Sequence, residues 1–375
     1  MARRRAIVLG GGIAGLAAAI ALRDAGYGVT VCEQAPAIEP LGAAISIWPN
    51  AVAALRILGA LGPVEHEAAP ITAMLLATRE GRSLIGPWTV GPPVHADRAY
   101  LPTRALVQHA LAEALGEPVQ LGRRATGIEQ RDERACVTFD DGQRVEADLL
   151  VAADGIRSTT GTAVIGNPPK DRGYGGVLAL SDPVDGPRLD GVAAEYWGRS
   201  ERFGVFDLGQ RRRYWFYMAN APLPTLDRDW LLAKARDGWP VSVAAAIAAT
   251  PADRLIPIAI TARTVPRWMA RGRVICVGDA AHGMEPNLGQ GACQALEDAV
   301  ALGAVAGRVE PDEVADAFTR LRRARVTMMM RRAREGGWAA HGVAPVRHAM
   351  RAALRFAPAA LQRRSIDDLY RMPDY

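Results

Sequence analysis

Residues 6–33 read AIVLGGGIAGLAAAIALRDAGYGVTVCE and follow the order strand, glycine-rich turn, helix, strand. The apolar run Ala6–Leu9 predicts a buried strand, and Val29–Cys32 predicts a second strand after a helix that ends near Gly26. The unit spans about 30 residues, the length of one βαβ unit. It therefore predicts an α/β fold with a Rossmann-like nucleotide-binding domain.

The turn of this unit fits the pattern G-x-G-x-x-G over residues 10–15. In that pattern Gly10 allows the tight turn, Gly12 lets the backbone approach a diphosphate, and Gly15 lets the helix pack on the strand. The diphosphate then lies against free N–H groups at the positive end of the helix. Glu33 ends the second strand, where its carboxylate can accept hydrogen bonds from a ribose hydroxyl. The sequence predicts a bound dinucleotide but does not say which one.

Composition excludes several other classes of protein. The 375 residues are 49% hydrophobic and 23% charged, which is ordinary for a globular enzyme with room for two domains. The net charge of +5 is scattered and arises almost wholly from arginine, and no nucleic-acid motif accompanies it. Four cysteines without CxxC spacing and six scattered histidines predict no metal site and favour the reducing cytoplasm. The uncharged run Ala6–Leu22 is interrupted by glycines and shorter than about 18 apolar residues, so we expect no membrane span.

The rest of the chain divides into segments with different residue patterns. Alternating residues around Glu80-Gly81 predict a hairpin, and residues 175–261 show short strand-like segments typical of an antiparallel sheet. Arginine-rich helical patterns follow residue 311, and their charged faces are expected to be solvated. The predicted domains are a discontinuous nucleotide-binding domain of residues 1–70, 97–174 and 262–335, a sheet domain of residues 71–96 and 175–261, and C-terminal helices over residues 336–375.

Two further motifs place polar residues after apolar strands. LLVAADGIRS, residues 149–158, runs from a strand into Asp154-Gly155. VGDAAHGMEPNLGQG, residues 277–291, ends a strand on Asp279 and then sets Pro286, Gly289 and Gly291 before a helix. Glycines let the backbone approach a ligand, and the helix start offers N–H groups that would stabilise negative charge.

The order of these three motifs resembles that of the FAD-dependent aromatic hydroxylases, single-component flavoprotein monooxygenases with the fold of p-hydroxybenzoate hydroxylase. PLGAAISIWPNAV and GQGACQALEDAVALG look similar to the branch of flavin-dependent urate hydroxylase and zeaxanthin epoxidase-like enzymes. The resemblance implies a GR2-type Rossmann-like FAD-binding domain interrupted by an antiparallel-sheet substrate domain. It also implies FAD as the bound dinucleotide, with NAD(P)H and O2 as co-substrates.

The resemblance implies the cofactor contacts residue by residue. The glycine turn and Glu33 would hold the ADP half, and Asp279 would bind the ribityl chain. The full set expected to contact FAD is Gly10, Gly12, Ile13, Ala14, Gly15, Glu33, Gln34, Ser46, Arg104, Ala125, Asp154, Asp279, Gly289, Gly291 and Ala292. One departure concerns NAD(P)H, because the family motif has an arginine three residues after Ser158 and this chain has Gly161. Arg157 is the residue that can partly compensate.

The chemistry that the resemblance implies is hydroxylation of a small aromatic or heteroaromatic substrate through a flavin C4a-hydroperoxide. Pro286 and Asn287 are expected in the flavin and substrate environment, with Asn287 as a substrate contact. Sequences similar to urate hydroxylase tend to have an acid at this place, which argues against urate. His282 is expected to support the loop rather than to catalyse.

Three residues of the inserted sheet are candidates for substrate binding. Arg202 aligns with a substrate-binding arginine of the urate branch and could pair with an anionic substrate, or it could lie on the surface. Trp215 and Tyr217 share one strand face and either line an aromatic pocket or fill the domain core, whereas Tyr214 and Phe216 face the other way.

Two other functions stay open from the sequence. One is epoxidation of an alkene in a larger hydrophobic substrate. The other is a flavin-binding pathway protein without turnover, for which Gly161 is the hint. The oligomeric state is expected to be a monomer or a homodimer.

Overall fold

The structure, a computed structural model, describes residues 4–38, 43–131, 133–223 and 226–375. The strands are β1 (Arg5–Leu9), β2 (Gly28–Cys32), β3 (Ala69–Ile71), β4 (Ala73–Thr78), β5 (Ser83–Thr89), β6 (Ala99–Leu101), β7 (Ala125–Arg131), β8 (Arg134–Phe139), β9 (Arg144–Ala147), β10 (Leu149–Ala152), β11 (Lys170–Leu180), β12 (Val192–Trp197), β13 (Glu201–Gly209), β14 (Arg212–Asn220), β15 (Ile256–Ala262), β16 (Ala270–Arg271) and β17 (Val274–Cys276). The α-helices are α1 (Ile13–Asp24), α2 (Pro49–Ile57), α3 (Leu61–Glu67), α4 (Arg104–Leu115), α5 (Thr159–Ile165), α6 (Arg228–Arg236), α7 (Val241–Ala248), α8 (Asp279–His282), α9 (Gly291–Ala306), α10 (Val314–His341), α11 (Ala344–Phe356) and α12 (Ala359–Tyr370). Short 3-10 turns cover Ala252–Arg254 and Pro286–Leu288.

The first sheet has the strand order β16-β17-β10-β1-β2. Strands β17, β10, β1 and β2 run parallel, as expected when helices cover the faces of the sheet. Helix α1 packs on this sheet and against α9, and its alanine-rich face is fully buried. The predicted α/β fold and the strands that flank the glycine turn are confirmed.

The second sheet has the order β15-β11-β14-β13-β12-β4-β5 and is antiparallel except between β12 and β4. The predicted hairpin forms β4 and β5, and it extends the sheet built from residues 170–262. This pairing supports the predicted division into two domains, whose boundaries stay a prediction. Helices α6 and α7 pack on one face of the sheet, and the other face joins the core around α1 and α2.

The C-terminal helices fold back onto the first domain. Helix α10 packs on α9, α11 packs on α10, and α12 contacts α2. The prediction that the arginine faces are solvated is right for Arg320 and Arg323, which are exposed, but wrong for Arg322, which is fully buried. Across the described residues, none of the helices combines the length and apolar character that a membrane crossing requires.

Candidate active site

The three sequence motifs meet at one edge of the first sheet. Cys32, Leu9, Ala152 and Cys276 lie side by side in the register of β2, β1, β10 and β17. Residues that follow these four positions therefore emerge together at the carboxyl ends of the strands, where α/β sheets bind their ligands. Parallel pairing brings Glu33, Gly10, Asp154 and Asp279 into one crevice although they are up to 269 positions apart.

Each glycine of the first turn has a distinct physical reason. Gly10 has a φ of +112°, and a Cβ there would lie 2.4 Å from the Ala153 carbonyl oxygen. A Cβ at Gly15 would lie 1.9 Å from the Gly10 oxygen, so the tight turn predicted at Gly10 and the close packing predicted at Gly15 are both confirmed. Gly12 has no atom within 4 Å of its Cβ position, and its backbone is open to a ligand.

The start of α1 and Glu33 together form the end of the crevice where the ADP half of the cofactor is expected. No side chain of the described residues caps the helix at Gly12. The Glu33 carboxylate accepts hydrogen bonds from the Gly11 N–H at 2.7 Å and the Ala35 N–H at 2.9 Å. The Arg123 N–H donates to the Glu33 carbonyl at 2.8 Å, so the segment that enters β7 at Ala125 lies beside it. Gln34 follows on the exposed surface.

The expected flavin end lies at the start of α9. Asp279 is exposed directly after β17, and its carboxylate has no partner in the part of the chain that the structure describes. Gly289 adopts a φ of +62°, and a Cβ there would lie 2.9 Å from the Trp48 Nε1 atom. Gly291, at the first position of α9, opens onto free space. The neighbouring Ala292 is half-buried at the same helix start.

Two predicted contacts come from outside these motifs. Ser46 is half-buried, and its carbonyl accepts from the Cys293 thiol at 3.4 Å, which ties the loop after residue 43 to α9. Arg104 is exposed at the first turn of α4, a helix capped by the Thr103 hydroxyl. Residues 40–42 of the PLGAAISIWPNAV motif lie outside the described residues.

Asp154 and Gly161 lie on the other side of the Asp279 segment. The Asp154 Oδ1 atom is buried without a hydrogen-bond partner among the described residues, and burial raises the pKa of this carboxyl. At Gly161 a Cβ would lie 2.2 Å from the Ala280 carbonyl oxygen. The departure from the family motif thus has a structural cause, because the backbone approach leaves no room for an arginine side chain.

A buried ionic cluster supports the segment from Gly278 to His282, which follows β17. His282 is fully buried and contacts the Asp298 carboxylate at 2.6 Å, which also accepts from the Gly278 N–H. Arg322 pairs with Asp298 and Glu297, both at 2.8 Å. Burial alone would raise the pKa values of both acids, but Arg322 and Arg325 lower the pKa of Glu297, and His282 and Arg322 lower that of Asp298. His282 therefore lies away from solvent and holds the loop, in agreement with the expectation from the sequence.

Arg202 and Asn287 are brought together, but they bind each other. Arg202 is only 2% exposed and donates to the Asn287 Oδ1 at 2.6 Å and to Glu195 at 3.2 Å. The Asn287 Nδ2 donates to the Ala333 carbonyl at 2.8 Å and to Glu285 at 3.2 Å. The surface position considered for Arg202 is wrong. Its charge is already matched by the half-buried Glu195 carboxylate.

Trp215 and Tyr217 do not face the crevice. Both lie in the core between the second sheet and helices α6 and α7, where the Trp215 Nε1 donates to the Thr250 hydroxyl at 2.8 Å. Tyr217 donates to Glu201 at 2.7 Å. The sequence interpretation as pocket residues is therefore corrected to the alternative that was left open, the domain core.

The opposite strand face carries the aromatic residues that the sequence interpretation missed. Tyr214 and Phe216 form a group with Phe206, with ring centroids 5.7–6.1 Å apart. They belong to the same core as Ile47 and Trp48, beside Gly289. The Tyr214 hydroxyl makes no hydrogen bond within the described residues, and burial raises its pKa. Strand parity groups these residues correctly, but it cannot say which face meets the ligand.

The residues fit FAD. Two uncapped helix starts, the open backbone at Gly12 and Gly291 and the unpartnered Asp279 carboxylate lie along one crevice. Exposed N–H groups suit the diphosphate and the electron-rich flavin edge, and carboxylates suit hydroxyl groups. No group of three or more His, Cys, Asp or Glu residues suited to a metal occurs among the described residues.

Comparisons with known proteins agree with this geometry. A family model described as "FAD binding domain" matches residues 3–333. The chain is 34% identical over 308 residues to aurachin C monooxygenase/isomerase of Stigmatella aurantiaca, covering 79% of each chain. It is 34% identical over 316 residues to FAD-dependent urate hydroxylase of Klebsiella pneumoniae subsp. pneumoniae, covering 80% of this chain and 81% of that one.

A solved structure shares the whole fold. The crystal structure of Klebsiella pneumoniae HpxO complexed with FAD and uric acid matches with a TM-score of 0.84 at 30% identity. The match covers 98% of this chain and 96% of the HpxO chain. The similarity therefore extends through the second sheet and the C-terminal helices.

Proposed function

The chain belongs to the family of FAD-dependent aromatic hydroxylases, and from this premise we propose that its substrate is a small, neutral, electron-rich aromatic or heteroaromatic ring. The protein is an FAD-dependent monooxygenase that uses NAD(P)H and O2. Bound FAD supplies the transfer of one oxygen atom to such a ring. What remains for the protein is to bind the cofactor, to orient the substrate and to exclude water.

The observation that carries the proposal is the pairing of both terminal nitrogens of Arg202, whose buried Nε has no hydrogen-bond partner among the described residues. Both terminal nitrogens of the guanidinium are engaged, one with Glu195 and one with Asn287. A second anion would have to break the pair with Glu195, and removing one partner of a buried ion pair costs about 3–5 kcal/mol. The site therefore favours a ring without a net negative charge.

The aromatic face of the second sheet supports the same conclusion. Phe206 and Phe216 offer ring edges and faces that stabilise an aromatic substrate by about 0.5–1.5 kcal/mol per pair beyond area burial. Tyr214 contributes the one free hydroxyl of this group. We assign to it the hydrogen bond that orients a substrate oxygen or ring nitrogen.

The predicted cofactor contacts follow from the crevice. The N–H groups at Gly12, Ile13 and Ala14 would hold the diphosphate, and Glu33 would accept from the adenosine ribose. At the other end Asp279 would accept from the ribityl hydroxyls. The start of α9 at Gly291 would face the flavin ring and stabilise the negative charge of the reduced form. Pro286 stiffens the approach to this helix.

The remaining assignments concern the whole protein. The four cysteines are buried and unpaired, which supports a protein that works in the reducing cytoplasm. We assign a small-molecule substrate and no nucleic-acid partner, and a monomeric or homodimeric state.

The experiment is a substrate screen with the FAD-loaded enzyme. Paired compounds, such as phenols and anilines against the corresponding benzoates, are incubated with NAD(P)H and O2 and followed by mass spectrometry. The expected result is a product one oxygen atom heavier from the neutral member of each pair. Hydroxylation of the carboxylates alone contradicts the neutral-ring proposal, and NAD(P)H oxidation that yields only peroxide contradicts the orienting role of Tyr214.

A further inference from the structure

Two adjoining cavities follow the outer side of α10, away from the crevice described above. The first, of about 810 Å³, is an open groove between α10 and Arg267-Trp268. The second, of about 240 Å³, shares Arg331 with the first and reaches Met284 and Glu285. The lining runs along α10 from Thr319 to Glu335, about 24 Å at 1.5 Å per residue. An extended dinucleotide has a comparable length.

The groove concentrates unpaired positive charge. Arg267, Arg320, Arg323 and Arg331 line it, and none of them bonds to a carboxylate in residues 4–38, 43–131, 133–223 and 226–375. Arg332 also lines the groove but pairs with Asp368 at 3.4 Å, and Glu335 is the single acid of the lining. Like charges on neighbouring helical positions repel one another, so an anion bound in the groove would stabilise this face.

A flat aromatic surface stands at the rim of the groove. Trp268 is 52% exposed, and the Arg267 guanidinium lies over its ring at 4.9 Å from the centroid. An exposed indole and a guanidinium plane are the surfaces on which a purine base stacks. The groove thus combines a stacking surface for a base with several cations for phosphates.

We infer that this groove binds the phosphorylated adenosine half of NADPH, an inference that rests on the proposed function. The diphosphate and the 2′-phosphate together carry about four negative charges, since a phosphate monoester carries about 1.5–2 at pH 7. The four arginines of the groove without a carboxylate partner oppose that charge, against the single Glu335. The second cavity ends at Glu285, the residue before Pro286. The nicotinamide end therefore points towards residues 277–291, which lead from β17 to the start of α9 and are called the flavin loop below.

The space around Gly161 explains why phosphate-binding cations are needed here. No side chain fits at Gly161, so the arginine of the family motif is missing. Arg263, which lines the second cavity, donates to the carbonyls of Ile156, Ser158 and Asp279 and is not free for a ligand. The unpaired arginines of α10 are the cations that remain available beside this loop.

Calorimetric titration of the FAD-loaded enzyme with 2′,5′-ADP and with 5′-AMP tests the inference without turnover. Wild-type enzyme is expected to bind 2′,5′-ADP more tightly, with an affinity that falls as salt is raised. The double variant R320Q/R323Q is expected to weaken that affinity at least about tenfold, since each lost charge-assisted contact contributes a comparable factor. Both residues are exposed, so folding is expected to be unaffected.

The matched control is R363Q/R364Q on α12, where two exposed arginines lie outside the groove. It removes the same charge and is expected to keep wild-type affinity. In turnover, R320Q/R323Q is expected to raise KM for NADPH while kcat and the KM for the aromatic substrate stay unchanged. The KM for NADH is expected to exceed that for NADPH in the wild-type enzyme.

Three results overturn the inference: equal affinity for the two nucleotides, an unchanged affinity in R320Q/R323Q, and equal losses in both double variants. Binding of heparin to the groove without any binding of 2′,5′-ADP overturns it as well and indicates a polyanion surface. If 2′,5′-ADP binds as expected but no aromatic compound is hydroxylated, the groove stands and the proposed substrate class fails. If an aromatic compound is hydroxylated normally but the KM for NADPH is unchanged in R320Q/R323Q, the proposed function stands and the NADPH groove is refuted.

Discussion

Replacing Gly161 by alanine tests the close contact between α5 and the flavin loop. A Cβ at this position would lie 2.2 Å from the Ala280 carbonyl oxygen and 3.0 Å from the Ser158 hydroxyl oxygen. Carbon and oxygen approach to about 3.3 Å at the closest, so α5 or the loop must shift by roughly 1 Å. The obstacle is a backbone oxygen, which a change of side-chain rotamer cannot relieve.

The expected cost follows from two opposing effects. Alanine in a helix is more stable than glycine by about 0.5–1 kcal/mol, because glycine loses more backbone entropy on folding. Overpacking of a buried site costs about 1–3 kcal/mol, and the rigid backbone obstacle places this site at the upper end of that range. The net expectation for G161A is a loss of about 2 kcal/mol and a weaker hold on FAD, because Ala280 directly follows Asp279.

The assay is thermal unfolding of the FAD-loaded protein, with the flavin released on unfolding as a second signal. A loss of about 2 kcal/mol corresponds to roughly 2.5 °C in a chain of this size, since the unfolding entropy is about 2.1 cal/mol/K per residue. The control is G307A, at the end of α9, where the backbone is also right-handed and the nearest atom lies at an ordinary 3.4 Å. G307A is expected to keep or slightly raise the melting temperature. Equal behaviour of the two variants would refute the packing explanation of Gly161.

Three further expectations concern the second sheet and the end of α10 that contacts it. Y214A is expected to raise substrate KM and the peroxide yield while FAD content stays normal. W215A is expected to lower the free energy of unfolding by about 3–5 kcal/mol because Trp215 is fully buried. Similar kinetics in both variants would contradict the assignment of the two strand faces. R202M is expected to destabilise the fold by up to about 3 kcal/mol in thermal unfolding, since it leaves Glu195 without its cation, and R202M/E195Q should recover much of the loss. Burial lowers the pKa of His341 to about 3, with smaller contributions from the charges of Arg202, Arg351 and Arg347. Its contribution to stability is therefore complete above pH 6.5 and declines as the pH falls towards 3, by about 2 kcal/mol at pH 5; H341Q should flatten this part of the pH-stability curve.

The cofactor crevice could be predicted from the sequence because its residues follow strands in local motifs. Gly10, Glu33, Asp154 and Asp279 each come directly after an apolar run, and parallel strands leave few ways to arrange those ends. The register that aligns Leu9 with Ala152 and Ala152 with Cys276 then fixes the crevice. Local patterns and a strong topological rule were sufficient here.

The substrate side could not be predicted in the same way. Alternation in β14 separates Tyr214 and Phe216 from Trp215 and Tyr217, but two apolar faces look alike until the neighbours of the sheet are known. Here α6 and α7 cover one face and the first domain covers the other. The pairing of Arg202 with Glu195 depends on strand-to-strand register, which no motif in the sequence encodes.

Helix α10 shows why composition alone misjudges the arginine-rich C-terminal region. Arg320 and Arg323 lie on neighbouring positions of its outer face, whereas Arg322 is turned about 200° from Arg320. That rotation places Arg322 among the carboxylates of Glu297 and Asp298, at the helix that begins beside the flavin loop. Helix α10 thus presents Arg320 and Arg323 to the groove and Arg322 to the buried ionic cluster. Neutralising Arg322 would therefore remove a buried cation that Glu297 and Asp298 share and leave them only Arg325 and His282, whereas neutralising its exposed neighbours leaves the fold intact. The effect of an arginine substitution on α10 thus depends on the helix face and not on the charge removed.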